Sequence, residues 1–240
     1  NNGTRLLQYI TNGDKTYEAT VVLGAATVTD DVEGEVISRA DVSAITDAQI
    51  EAEMAKMRGT IMQRPSSVSA VKVDGERAYD RVRAGESVEL AAREVTISQL
   101  DIKDVRRIEN TIEVDIEVTC SAGTFIRAIA RDCGNALAVG GHLNSLRRTR
   151  VAGFGLDKSI SLASLKAGEF STLGLVDVAR TTFSARELAL DEVNELSFGR
   201  PLSANPDEAI YAAISGQDLI ALLCNKDGLA KPIAVFAAAN

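Results

Sequence analysis

Thr111-Ile-Glu-Val-Asp-Ile-Glu-Val-Thr-Cys120 runs directly into Ser121-Ala-Gly-Thr-Phe-Ile-Arg127-Ala-Ile-Ala-Arg-Asp-Cys-Gly134. The first ten residues alternate strictly, with Ile112, Val114, Ile116 and Val118 on one side and Glu113, Asp115, Glu117 and Thr119 on the other. That is the two-residue period of a half-buried strand. After the turn Ser121–Thr124, the apolar residues Ile126, Ile129, Ala130, Cys133 and Leu137 recur at helical spacing. Thr124 is the expected N-cap, and Gly140-Gly141 the stop. Arg127 therefore belongs to the first turn of a helix at the mouth of a strand.

A cation is oddly placed there, because the helix dipole favours anions at that end by roughly 0.3–1 kcal/mol. Either a carboxylate or phosphate shares the mouth and binds the guanidinium through charge-assisted hydrogen bonds, or Arg127 is an ordinary surface residue paired with nothing in particular. Spacing alone leaves both open.

Working outward, Tyr17–Leu23 reads as a strand and Thr27–Gly34 as a polar turn. Thr46-x-x-Gln49 is a capping box that opens a helix with Ile50, Met54 and Met57 on one face, ended by Gly59. Residues 63–85 mix small residues with Arg77, Arg81 and Arg83, and Glu76–Arg83 fits a short helix; a surface hairpin is the plainer alternative. Val95–Ile102 forms the strand preceding Ile112–Val118. A boundary is expected within Gly168–Thr182. Beyond it, Ser184-x-x-Glu187 reads as a second capping box, opening a helix that carries Leu188 and Val193 and stops at Gly199. Short apolar runs at Ala209–Ile214, Leu219–Leu223 and Ile233–Phe236 follow, separated by turn signals. One helix with short strands points to a small barrel.

The 240 residues carry 26 Lys and Arg against 34 Asp and Glu, a net charge of −8. A wholly basic nucleic-acid binder is excluded, yet residues 121–158 hold 6 basic and 2 acidic side chains. That local patch, with Arg147, Arg148 and Arg150 at its end, suits either a limited phosphate footprint or a solvated face. Cys120, Cys133 and Cys224 have no paired spacing, which argues against a disulfide framework or a zinc site. With His142 as the only histidine, His-based chemistry has little to work with. No apolar run approaches the roughly 20 residues of a membrane span, and no secretory signal is visible. A soluble, cytoplasmic protein is expected.

Four segments together resemble the TruB family of bacterial tRNA pseudouridine-55 synthases. Gly123-Thr-Phe-Ile-Arg127 with Asp132-x-Gly134 is similar to the family's G-T-Y-I-R…D-x-G. Gly141 through Leu146-Arg-Arg-Thr-Arg-Val151 is similar to G-x-x-x-x-L-R-R-T-x-V. Lys15-Thr-Tyr17, Leu23-Gly24, Thr27, Thr29, Asp31 and Gly34 follow K-x-Y…L-G-x-x-T-x-T-x-D-x-x-G. Gln63-x-Pro65 through Ser69-Ala-Val-Lys72, Gly75, Tyr79 and Arg83-x-Gly85 follow Q-x-P-P-x-x-S-A-x-K-x-x-G-x-x-x-Y-x-x-x-R-x-G.

The resemblance implies an α+β fold: a pseudouridine synthase catalytic domain with a mixed or antiparallel sheet over residues 1–168, and a small PUA-like β-barrel over 184–240, which by its charge could equally be a structural tail. Residues 60–92 become an RNA-binding insertion. The implied reaction isomerises uridine 55 in the tRNA T-arm to pseudouridine, with the target base flipped out of its stack and with no cofactor or metal. Tyr17 is implied to stack on the flipped base and take part in proton transfer at C5, although a half-buried strand tyrosine would look the same. Arg127 is implied to pair with the nucleophilic Asp. Leu146 is implied to line the base pocket, unless it is simply core. Lys15, Lys72, Arg147, Arg148 and Arg150 are the implied RNA contacts. The expected partner is tRNA, with no membrane and no obligate protein partner, and the expected state is a monomer.

Two departures stand out. Phe125 occupies a position where the family more often has Tyr. The family's Gly-Thr-Leu-Asp-Pro segment, whose Asp is the nucleophile, does not occur in these residues. The expectation is that it lies upstream of Asn1, that the chain is a fragment, and that these residues are inactive alone. A shortened paralogue that binds RNA or assists tRNA folding without catalysis is the alternative.

Overall fold

The structure, a computed structural model, describes residues 2–66, 68, 72–73, 76–77, 90–206 and 209–237. It divides into two compact units, residues 12–151 and residues 1–11 with 152–240. The first unit ends at Val151, and helix α1 (Asn2–Ile10) belongs with the later residues.

In the first unit β1 (Lys15–Leu23), β2 (Ala25–Thr27), β3 (Val36–Arg39) and α2 (Asp47–Ala55) lead to β4 (Gly59–Gln63). Then come β5 (Lys72–Val73), β6 (Glu76–Arg77), β7 (Arg93–Ile108), β8 (Thr111–Cys120), α3 (Ile126–Ala136) and β9 (Gly141–Val151). The strands order as β9-β1-β8-β7-β4, every neighbouring pair antiparallel. The alternation in β8 fixes its register: Ile112, Val114, Ile116 and Val118 are each at most 2% exposed. They sit opposite Leu23, Val21, Ala19 and Tyr17 of β1. A one-residue slip would turn that whole apolar set outward. The core beneath is closed by Ile50 and Met54 of α2 and by Ile126, Ile129, Ala130 and Cys133 of α3. Burial lifts the Cys133 thiol to about 12, as expected for a packing residue.

The reciprocal Thr46–Gln49 box caps α2 as expected. The opening of α3 differs. Phe125, not Thr124, is the N-cap residue, because the Thr124 hydroxyl is spent on the Ser121 carbonyl at 2.9 Å. Residues 60–63, expected in the insertion, are edge strand β4 laddered to Glu94–Thr96 and Arg93 of β7. Of the helix expected at Glu76–Arg83, the described part, Glu76–Arg77, is a strand paired with Lys72–Val73; the rest lies outside the described residues. The basic Leu146–Arg150 stretch is part of β9, although its own sequence shows no alternation.

Towards its C-terminal end, helix α3 also meets backbone directly. A Cβ at Gly134 would lie 2.2 Å from Gly140 C and 2.3 Å from Gly141 N, and one at Gly141 would lie 2.3 Å from Ala130 O. Such close approach leaves no room for a methyl group, which explains the Asp132-x-Gly134 and Gly140-Gly141 spacing.

In the second unit the strands are β10 (Phe154–Gly155), β11 (Ala185–Glu187), β12 (Leu202–Ser203), β13 (Tyr211–Ser215), β14 (Asp218–Lys226) and β15 (Leu229–Val235). The helices are α4 (Leu162–Ala167), α5 (Leu175–Thr182) and α6 (Leu190–Ser197). A five-stranded sheet runs β11-β13-β14-β15-β12, with only β11 and β13 parallel. Leu6, Val176 and Ala179 pack with one face, through Ala212, Ile214 and Leu222. Leu196 packs with the other, through Tyr211, Ala213 and Leu223. The Ser184-x-x-Glu187 box does not open a helix: its residues ladder with Ala212–Ile214. The helix begins at Leu190 instead, where Glu192 accepts from the Ala189 N–H at 3.1 Å. Among the described residues no helix is long and apolar enough to cross a membrane.

Gly134→Ala is expected to destabilise the first unit by at least about 1–3 kcal/mol through overpacking. Urea unfolding followed by circular dichroism checks this, and a change below about 0.5 kcal/mol would mean α3 can shift away from Gly140.

Candidate active site

The site begins where β8 ends. Ser121 ties the turn to β7 twice, its N–H donating to Thr96 O at 2.8 Å and its Oγ accepting from Thr96 N–H at 3.0 Å. Gly123, at φ +89°, completes the turn. Phe125 then starts α3 without a side-chain cap. Gln63, 1% exposed, meets the Phe125 backbone from 62 residues away. Its Oε1 accepts from Phe125 N–H at 2.8 Å and its Nε2 donates to Phe125 O at 3.0 Å. The Arg93 guanidinium lies 5.6 Å from the Phe125 ring centroid, a cation–π stack.

Arg127 emerges from this clamped turn. Its Nη1 is 2.9 Å from the Asp31 carboxylate and donates to Thr29 O at 3.2 Å and Val68 O at 3.3 Å. The carboxylate that an N-terminal cation requires is therefore present within the chain, on the turn Thr27–Gly34. All three contacts use one nitrogen. Among the described residues, no partner is recorded for Nη2 or Nε, and the side chain is 36% exposed.

Asp31 is itself oriented. It accepts from the Thr29 hydroxyl at 2.5 Å and from Glu33 N–H at 3.1 Å. The turn is sewn to β9 by Leu143 N–H to Asp30 O at 3.0 Å and Val32 N–H to Leu143 O at 2.8 Å. Gly34 closes it: a Cβ there would lie 2.3 Å from Thr29 Oγ1.

Register decides which β9 side chains face this side. Tyr17 sits opposite Arg148, and Ala19 opposite Leu146. Glu18 faces Arg147, and Thr16 faces Arg150. Tyr17, Arg148 and Leu146 thus share the sheet face that carries Ala19 and Val21. Arg147 and Arg150 lie on the other face, where Arg150 Nε donates to Thr16 Oγ1 at 3.1 Å. Register breaks at Thr16/Tyr17 and Thr20/Val21 bracket this stretch; such bulges re-aim strand side chains. Leu146 is 49% exposed, so it is not core. Tyr17 is half-buried against the core. Burial, and secondarily the Cys120 thiol, push its phenol pKa up against the opposing pull of Arg148, so it is protonated at neutral pH.

Of the other expected site residues, Lys15 Nζ donates to Gly13 O at 2.8 Å. Lys72 lies in β5, and its side chain is outside the described residues. His142 is buried, its Nδ1–H donating to Ala25 O at 2.9 Å, and serves packing. Asp31 and Gln63 were not singled out by residue type. Both nevertheless stand at fixed positions in the family-like motifs, which was the available signal. No cluster of metal-ligating side chains occurs among the described residues.

The fold is shared with chains in solved structures. One is the structure of an H/ACA RNP bound to a substrate RNA containing 2'-deoxyuridine, with TM-score 0.66 and 18% identity, covering 98% of this chain and 69% of that one. Another is a Cbf5-Nop10-Gar1 complex, with TM-score 0.63 and 21% identity, covering 99% and 69%. At such identities the likeness concerns the fold alone. The profile described as "TruB family pseudouridylate synthase (N terminal domain)" matches residues 1–126. Those for "tRNA pseudouridylate synthase B C-terminal domain" and "tRNA Pseudouridine synthase II, C terminal" match 127–172 and 183–237. Two proteins named tRNA pseudouridine synthase B lie near in sequence. That of Arthrobacter sp. (strain FB24) is 48% identical over 252 residues, covering 100% of this chain and 82% of that protein. That of Mycobacteroides abscessus is 48% identical over 239 residues, covering 99% and 80%. The chain belongs to the TruB family of pseudouridine synthases.

Gln63→Leu removes the Oε1 partner of Phe125 N–H, while Phe125 O keeps the Ala128 N–H at 3.1 Å, and is expected to cost about 1–3 kcal/mol, the order expected for one unsatisfied group. Chemical denaturation reads this directly; a change under about 0.5 kcal/mol would mean that water replaces the amide.

Proposed function

We propose that this protein is a tRNA pseudouridine synthase that isomerises uridine 55 in the T-arm. The observation that carries the reading is the half-used guanidinium of Arg127. Held through Nη1 by Asp31 and two carbonyls, it has Nη2 and Nε without a partner among the described residues, where they suit a second anion. We assign that anion to the nucleophilic Asp of the family's Gly-Thr-Leu-Asp-Pro segment, which the resemblance places before Asn1.

In the reaction the N1–C1' glycosidic bond breaks, the uracil turns, and C5 joins C1'. C5 then loses its proton and N1 gains one, so no redox partner is needed. The flipped base requires an apolar, aromatic recess to offset unstacking. Tyr17 offers its ring and, at C5, a phenol oxygen; Leu146 is the exposed apolar neighbour on the same face. Arg148 beside Tyr17 is suited to phosphate close to the flipped nucleotide. Arg147 and Arg150, on the opposite face, would meet more distant backbone or none. Residues 184–240 we read as a PUA-like module, whose acidic balance suits shape contacts better than strong phosphate binding. The working state is a cytoplasmic monomer.

In the full-length protein, Arg127→Ala is expected to lower turnover on T-arm RNA by about 10²–10³-fold, as for loss of a charge-stabilising donor, with the fold preserved. Near-normal turnover would remove Arg127 from the chemistry. RNA binding without conversion by the unaltered protein would favour a tRNA-folding role instead. Tyr17→Phe keeps stacking and removes the hydroxyl, so a large loss assigns proton transfer to Tyr17. Arg148→Ala is expected to flatten the salt dependence of RNA binding by about one unit of slope. A slope that changes with Arg147→Ala and not with Arg148→Ala would place the RNA on the other face.

A further inference from the structure

We propose that Arg131, together with Asp30, is a positioning residue for Arg127. The inference rests on the reading of Arg127 given above. Arg131 follows Arg127 by four residues on α3, so both side chains leave the same side of the helix. They meet consecutive acids: Arg127 pairs with Asp31, and Arg131 Nη1 lies 3.3 Å from the Asp30 carboxylate. Unlike Arg127, Arg131 uses all three nitrogens. Its Nη2 donates to Arg64 O at 2.7 Å, its Nη1 reaches Pro65 O at 3.5 Å, and its Nε donates to Asp132 at 2.8 Å. The pair is largely buried, at 20% and 14% side-chain exposure.

Asp30 also sits at φ +60°, a left-handed conformation that Asp adopts more readily than most residues when its polar groups are hydrogen-bonded. Something must hold it there. The backbone share comes from Asp30 N–H to Thr27 O at 3.3 Å and from Leu143 N–H to Asp30 O. The side-chain share comes from Arg131. Because Asp31 is the next residue, the direction of its carboxylate follows from the conformation at Asp30. Arg131 simultaneously fixes the Arg64–Pro65 backbone that follows the Gln63 clamp, three residues before the Val68 carbonyl that Arg127 touches. One guanidinium thus sets two of the three supports of Arg127 without touching substrate.

The test separates chemistry from binding in the full-length protein, measuring single-turnover pseudouridine formation and affinity for a T-arm stem-loop RNA. Arg131→Gln and Asp30→Asn are each expected to slow the single-turnover rate by about 10- to 100-fold, the effect of ångström-scale misplacement. RNA affinity should stay within about twofold, since no shared binding contact is removed. The double variant should be no slower than the slower single, the signature of one coupled unit. Arg131→Lys, which keeps the charge and folds if Arg131→Gln does not, should recover part of the rate. Single-turnover rates near the unaltered value for the single variants, where Arg127→Ala is slow, would overturn the positioning role and leave the isomerase reading intact. Loss of thermal stability that tracks loss of rate in every variant would reduce the pair to a folding contact and also overturn it. If the unaltered protein forms no pseudouridine, the isomerase reading falls and this inference falls with it.

Discussion

A helix that begins with a cation cannot be secured by its own dipole, and here it is secured by one buried amide. Gln63 closes a two-way hydrogen-bonded ring with the Phe125 peptide, fixing the first turn of α3 from the far edge of the sheet. Arg127 and Arg131 inherit their directions from that turn. At the other end of the helix, the absence of side chains at Gly134 and Gly141 lets backbone touch backbone. The helix is therefore held at both ends by groups that tolerate little change, and the two guanidinium groups between them have a defined place to reach.

The acidic turn is the complementary half. Asp30 and Asp31 are fixed by hydrogen bonds to β9 and by two arginines one helical turn apart. Such an arrangement is worth more to geometry than to stability. Partly buried ion pairs roughly offset their own desolvation, but they penalise every alternative placement of the charges. A site whose chemistry depends on directing a carboxylate benefits from that kind of restraint.

Much of this was legible in the residues. The strict alternation of β8, the helical spacing after Ser121 and the Thr46–Gln49 box each rest on local physics, and the corresponding elements formed. The helix dipole raised an anion near Arg127 as one of two readings, the other being an ordinary surface arginine; Asp31, which decides between them, approaches from a turn nearly a hundred residues earlier. β9 was illegible because its polar Asn144–Arg150 run shows no period: the strand is defined by pairing with β1, not by its own pattern. Thr124 and Ser184 misled for different reasons. A cap-forming side chain finds whichever backbone group is nearest, and at Thr124 that was the preceding turn, while the backbone at Ser184 was claimed by a parallel ladder. Apart from the adjacent Asp132, the partners of Arg131 (Asp30, Arg64 and Pro65) are brought together only by tertiary structure, which leaves no local signal for its role.

The two irregularities in the pairing of β1 with β9 have a consequence for how this surface can vary. Each spare residue reverses the parity of everything beyond it, so side-chain facing in the arginine run is governed by strand length as much as by residue identity. In a regular strand Arg148 and Arg150, two residues apart, would share one side of the sheet; the spare Thr149 instead puts Arg150 opposite Thr16 and Arg148 opposite Tyr17, on different sides. Among relatives, then, counting arginines in this strand says little about RNA contact unless the intervening residues are counted as well.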